Sequence, residues 1–188
     1  MKVVGIDPSK RSTGIVLIDN DWQITTSALV RESGPEWKVY LKQIAAVIEV
    51  CTGADIAFVE NAAYGFGGSS SSVVELAHIS GSIRAALSTR LVPWLPIANA
   101  TWKRAVMGEG NGKFDSKALT DEQHAYLESR FGKLPEQADL RDAYLIACGG
   151  RVCLESPGTK GMARIAEAYR AISKQMDAER LRRIGGDT

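Results

Sequence analysis

The sequence is poor in the residues that most zinc and redox sites need. Its 188 residues include two histidines, His78 and His124, and three cysteines, none of which has C-x-x-C spacing. A zinc site is therefore not expected, and an odd number of thiols without metal spacing is typical of a reduced, cytoplasmic protein. No apolar run is long enough to cross a bilayer, and the first residues lack the pattern of a signal peptide. We expect a cytoplasmic protein that makes no use of a membrane.

Positive and negative charges balance almost completely, so the overall charge identifies no partner. Lys and Arg number 23 and Asp and Glu number 22, which gives a formal net charge of +1 at pH 7. Basic residues nevertheless cluster locally, and such a cluster is either ordinary solvated surface or a nucleic-acid contact. The clusters are Lys10 with Arg11, Lys103 with Arg104, Lys113 with Lys117, and Arg180 with Arg182 and Arg183.

Three predicted strands, followed by strands that alternate with helices, indicate an α/β fold with a mixed five-stranded sheet flanked by helices. An antiparallel meander and two later strands are predicted over 1–7, 13–19, 23–31, 56–60 and 91–97. Helices are predicted over 35–52, 73–89, 101–107, 116–130, 136–154 and 161–183. Thr101 is the expected cap of one helix and Ser116 or Thr120 of the next. We place a domain at 1–156 and a basic extension, helical or partly disordered, at 157–188.

Four acidic residues stand out by their positions in these elements. Asp7 ends the first strand and Glu60 ends the fourth, while Asp139 and Asp142 lie one turn apart at the start of a helix. Each has an ordinary explanation, since Asp-Pro begins turns and acidic residues favour the first turn of a helix. If the two strands are parallel neighbours, however, all four carboxylates converge.

Such a cluster would repel itself unless a cation neutralised it. Magnesium and manganese are the ions that prefer carboxylate oxygens. Two such ions about 3.5–4 Å apart can activate a water and stabilise the leaving oxygen of a phosphodiester. The four carboxylates therefore indicate a site for Mg²⁺, or Mn²⁺, that needs no histidine.

Four segments in order resemble the motifs of RuvC-type Holliday junction resolvases, which belong to the ribonuclease H-like superfamily. They are "GIDPSKRSTGIVLID", "AFVENAAYGFGGSSSSVVELAHISGSIRAAL", "TWKRAVMGEGNGKFDSKALT" and "EQADLRDAYLIA", within Val3 to Ala147. The resemblance implies a ribonuclease H-like fold and a homodimer, paired through helix 73–89, that cuts four-way DNA junctions by paired nicks. The tail beyond residue 157 and the glycine- and serine-rich loop depart from the family, as in divergent or phage-borne members. The host would then be a bacterial cell or one infected by a phage.

The resemblance also assigns roles to residues. It makes Asp7, Glu60, Asp139 and Asp142 the ligands of two metal ions and puts Lys117 near the scissile phosphate. The same segment supplies Lys103, Arg104 and Lys113 as DNA contacts. Many relatives carry a phenylalanine wedge where this chain has Ala63, so Tyr64 or Phe66 takes that role or merely anchors the loop.

Several alternatives stay open at this point. The apolar face of helix 73–89 could pack on the sheet instead of a partner, and the lysines could lie on solvated surface. A related ribonuclease H-like nuclease acting on other branched DNA or on RNA would carry the same carboxylates. A junction-binding protein without activity would not need all four of them. An ATPase of the actin and Hsp70 type would need a second, duplicated domain.

Overall fold

Five strands and six helices make up the described part of the computed structural model, which covers residues 1–61, 70–108 and 115–185. The elements in chain order are β1 Val3–Asp7, β2 Ser12–Ile18, β3 Ile24–Arg31, α1 Glu36–Val50, β4 Ile56–Asn61, α2 Ser70–Thr89, β5 Trp94–Ala98, α3 Asn99–Met107, α4 Asp121–Phe131, α5 Ala138–Glu155 and α6 Lys160–Gly185.

The strands form one mixed sheet with the order β3-β2-β1-β4-β5. The first three strands are an antiparallel meander, and β1, β4 and β5 run parallel. Pairing of Ile6 with Val59 leaves Asp7 and Glu60 as the next residues of the two parallel strands. The prediction of a mixed five-stranded sheet is confirmed, and the condition that β1 and β4 are parallel neighbours is met.

Alternation along the central strands divides the core into two layers. On β1, Val3 belongs to the layer under α3 and α5, whereas Val4 and Ile6 belong to the layer under α1 and α2. Since side chains alternate across a strand, Gly5 and Asp7 lie on the same face as Val3. On β4 the buried Phe58 lies in the α5 layer, so Glu60 also faces α5. Both strand-end carboxylates therefore point toward one helix.

Helix α5 packs unusually close to the sheet at two glycines. A Cβ on Gly5 would lie 2.0 Å from the Ala143 carbonyl oxygen, and one on Gly14 would lie 2.1 Å from the Asp139 carbonyl oxygen. Gly14 is also the cross-strand partner of Asp7. The absence of side chains at these positions brings the first turn of α5 directly over Asp7.

Two capping predictions had different outcomes. The prediction that Thr101 caps its helix is wrong, because α3 begins at Asn99 and its cap residue, Ala98, makes no side-chain hydrogen bond. Thr120 is the cap of α4, and it forms a capping box with Gln123. Ser116 instead lies buried in the turn before that helix.

The two peripheral helices pack on the central layers. The buried apolar residues in the described part of α2 lie on the α1 side of the core: Ile79, Ile83, Ala86 and Leu87. Met162, with the partly buried Ile165 and Tyr169, packs α6 against the other side of the core. The division of the chain at residue 156 stays a prediction. Strand β5, with Pro96, is at the edge of the sheet, as expected. In the described ranges, no helix has the length and apolar character needed to span a membrane.

The glycine contacts yield a stability prediction. Gly5→Ala should lower the free energy of unfolding by about 3 kcal/mol or more, because the new methyl group collides with backbone that cannot move alone. Urea unfolding followed by circular dichroism measures this. In Gly161→Ala the added Cβ would lie 3.6 Å from Thr101 Oγ1, so that variant should be near wild type. Equal stability of the two variants would contradict the close packing of α5.

Candidate active site

Asp7 and Glu60 meet at the ends of β1 and β4. Burial, which is the largest cause, acts together with the charges of Glu60 and Asp142 and a hydrogen bond with Glu60 to raise the pKa of Asp7 from 3.8 to about 8. A carboxyl group with such a pKa is one that its surroundings do not let ionise easily. The pair therefore forms a site that favours a proton or a cation.

Asp142 completes this group from the first turns of α5. It is 9% exposed, and its Oδ1 is buried without a hydrogen-bond partner. Burial raises the pKa of Asp142, while a hydrogen bond from the Ser116 side chain and the charges of Lys117 and Lys103 oppose the shift. An unpartnered buried carboxylate oxygen is costly, and a bound cation would satisfy it.

The carboxylate of Asp139 contacts two residues of β2 and β3. Ser12 Oγ donates to Asp139 Oδ2 at 2.6 Å, and Arg31 Nη2 lies 3.9 Å from the same oxygen. Arg31 Nε also donates to Ser12 Oγ at 3.4 Å. Ser12 and Arg31 are cross-strand partners at the ends of β2 and β3. Asp139 thus contributes negative charge near Asp7 while its carboxylate is directed toward Arg31.

Glu60 accepts hydrogen bonds from two residues that are not among the site residues predicted from the sequence. Asn99 Nδ2 donates to Glu60 Oε1 at 2.7 Å, and Trp102 Nε1 donates to the same oxygen at 2.9 Å. Both donors lie on α3, which begins immediately after β5. Asn99 carries a weak sequence signal, because a polar residue after a parallel strand lies at the edge where Asp7 and Glu60 end. Trp102 carries none.

The predicted lysines lie where they affect the carboxylates. Lys117 and Lys103 each lower the pKa of Asp142, which places their charges close to it. Lys103 Nζ also lies 5.4 Å from the centre of the Trp102 ring. Arg104, one residue further along α3, is exposed. The other predicted DNA contacts, Tyr64, Phe66 and Lys113, lie outside the described residues.

The donor chemistry of this cluster fits a hard divalent cation. Its carboxylates supply only oxygen ligands, Asp142 Oδ1 is unpartnered, and Asp7 is destabilised when it ionises. As the side chains are placed, no three Asp, Glu, His or Cys groups among residues 1–61, 70–108 and 115–185 are close enough to share an ion. The carboxylate of Asp139, in addition, is directed to Ser12 and Arg31. The side chains therefore have suitable ligand chemistry, but they would have to move closer together to share an ion.

Solved structures share this architecture. RuvC from Thermus thermophilus matches with a TM-score of 0.68 and 19% identity, covering 84% of this chain and 97% of that one. The chain has the RuvC fold. RuvC from T. thermophilus in complex with Holliday junction substrate also matches with a TM-score of 0.68, at 20% identity, covering 81% and 93%. This likeness to RuvC confirms the predicted ribonuclease H-like fold.

Comparisons by sequence add nothing to the likeness with RuvC. No family model matches the chain. No curated protein matches it either. The roles of individual residues therefore depend on the geometry described above.

The raised pKa of Asp7 predicts how the metal-free protein responds to pH. A folded-state pKa above the unfolded value of 3.8 means that stability is present at low pH and is lost as pH rises toward about 8. In EDTA, Asp7→Asn should therefore melt at a higher temperature than wild type at pH 8, by about 2–4 °C per kcal/mol of relieved burial cost and charge repulsion. The difference should shrink toward pH 5.

Differential scanning fluorimetry across that pH range makes the comparison. Asp177→Asn is the matched control, because Asp177 is exposed on α6, far along the chain from the cluster. Its melting curve should follow wild type at every pH. A lower melting temperature for Asp7→Asn at pH 8 would contradict the cost that burial and neighbouring charges are said to place on ionised Asp7.

Proposed function

We propose that this protein is a metal-dependent DNA endonuclease that resolves four-way junctions by paired nicks. The observation that carries the proposal is the contact of Asp7 with Glu60 beneath Asp142, whose Oδ1 is unpartnered. No structural purpose explains three mutually repelling carboxyl groups at one edge of a sheet, whereas a cation site does. The RuvC fold adds support, since one RuvC structure contains Holliday junction substrate.

Asp7, Glu60 and Asp142 would hold the first ion, and Asp139 would join them for a second after leaving Ser12 and Arg31. Bound Mg²⁺, or Mn²⁺, would supply an activated water and stabilise the charge that develops on a phosphodiester. The protein's own residues orient these ligands: Asn99 and Trp102 fix Glu60, and Ser116 faces Asp142. The negatively charged phosphates of the DNA backbone beside this site would also need positively charged side chains nearby.

Lys103 and Lys117 provide that positive charge beside the carboxylates. Both lie close enough to Asp142 to lower its pKa, so a phosphate at the metal site would lie near them. Arg104 extends the basic surface along α3. Because phosphate contacts dominate protein–DNA affinity, binding should weaken as salt increases.

Paired nicking requires two such sites, and we propose that two chains pair through α2. The core side of α2 is buried, but its opposite side carries small exposed residues, Ala77, Gly81 and Ala85, at four-residue spacing. A Cβ on Gly81 would meet no heavy atom within 4 Å. Small residues let two helices approach closely, so this side of α2 is suited to a partner.

A cleavage assay tests the proposed function directly. With MgCl₂, the protein should cut a four-way junction at symmetric positions and leave flap and linear DNA of the same sequence intact. Asp7→Asn and Glu60→Gln should retain junction binding and lose cleavage by at least about a thousandfold, because each removes a charge from the metal site. Equal cutting of the flap would favour a general branched-DNA nuclease, and normal cutting by either variant would contradict the site.

Lys117 allows a separate prediction about rate. Lys117→Ala should slow cleavage by about 10- to 100-fold, since it removes a positive charge beside the reacting phosphate, and should weaken junction binding less. Single-turnover cleavage and gel-shift titration measure the two effects. Lys133→Ala serves as the control because Lys133 is exposed between α4 and α5 and is not among the charges that act on Asp142. Unchanged cleavage by Lys117→Ala would return Lys117 to ordinary surface.

A further inference from the structure

One oxygen of Glu60 is already fully occupied by protein donors. Glu60 Oε1 accepts N–H groups from Asn99 at 2.7 Å and from Trp102 at 2.9 Å. A carboxylate oxygen offers about two lone-pair sites, so these two hydrogen bonds saturate Oε1. Only the other oxygen, Oε2, remains for Asp7 or for an ion.

The two donors are held rigidly, so this occupancy is built into the fold. Trp102 is 1% exposed and packs against α5 where Gly149 leaves room for it: a Cβ on Gly149 would lie 2.8 Å from Trp102 Cβ. Asn99 begins α3 directly after β5, and β5 is hydrogen-bonded to β4 with Ile97 opposite Glu60. Strand pairing therefore sets the distance between Asn99 and Glu60.

We infer that Asn99 and Trp102 are positioning residues that make Glu60 a single-oxygen ligand and so select Mg²⁺ over Ca²⁺ at this site. The inference rests on the proposed function, because it requires that Glu60 bind a metal ion. It goes further in assigning the choice of ion to two residues that are not themselves ligands.

The coordination preferences of the two ions explain the selection. Mg²⁺ demands near-ideal octahedral geometry with oxygen at 2.0–2.1 Å, which single carboxylate oxygens provide. Ca²⁺ takes six to eight oxygens at longer distances and often uses both oxygens of one carboxylate. A glutamate whose Oε1 is saturated by N–H donors cannot supply both oxygens without breaking those bonds. The saturation of Oε1 therefore weakens the binding of Ca²⁺ at this glutamate more than the binding of Mg²⁺.

Competition for Mn²⁺ tests the inference without any cleavage. Displacement of bound Mn²⁺ by Mg²⁺ or by Ca²⁺, followed by electron paramagnetic resonance of free Mn²⁺, gives the ratio of the two dissociation constants. Asn99→Ala and Trp102→Phe each remove one donor and should shift this ratio toward Ca²⁺ by about tenfold, the equivalent of one hydrogen bond to a charged group. Asn99 is half-buried at a helix start, so Asn99→Ala should fold even if Trp102→Phe does not.

A second tryptophan provides the matched control. Trp94 Nε1 donates to Ser88 Oγ at 2.9 Å, away from the carboxylates, so Trp94→Phe should keep the wild-type ratio. A folded Asn99→Ala variant that kept the wild-type ratio would overturn the inference. The proposed function would still stand in that case, because the protein would bind Mn²⁺. A wild-type protein that bound no Mn²⁺ would overturn both.

Discussion

The close packing of α5 on the sheet determines where the acidic side chains of this helix lie. Gly5 and Gly14 lack the side chains that would separate the helix from β1 and β2 by colliding with Ala143 and Asp139. Both glycines lie on the same sheet face as Asp7. The first turns of α5 consequently bring Asp139 and Asp142 to the edge where Asp7 and Glu60 end.

The carboxylates repel one another in that placement, and the surrounding groups reduce the repulsion without cancelling it. Arg31 and Ser12 contact the carboxylate of Asp139. Asn99 and Trp102 donate hydrogen bonds to one oxygen of Glu60. The charges of Lys103 and Lys117 lower the pKa of Asp142. Asp7 has no comparable cationic partner among the causes that shift its pKa to about 8. The residual repulsion is what a divalent ion would relieve, and it links the stability of the protein to its proposed chemistry.

The fold and the acidic residues could be predicted because their signals are local. Asp7 and Glu60 each end an apolar run, and the meander, the parallel strands and the long final helices follow from periodicity. The hydrogen bonds of Asn99 and Trp102 to Glu60 join residues 39 and 42 positions apart, so no local pattern indicates them. The sequence left Ser116 and Thr120 as alternative caps of α4; the capping box of Thr120 with Gln123 favours Thr120, and Ser116 is buried in the turn before the helix.

Anomalous diffraction from crystals of this protein soaked in Mn²⁺ would show whether the carboxylates hold a metal ion, because it locates the ion without reference to activity. We predict an anomalous peak in contact with the carboxylates of Asp7 and Asp142 and with Oε2, but not Oε1, of Glu60. Saturating Mn²⁺ that left this edge of the sheet without a peak would contradict it.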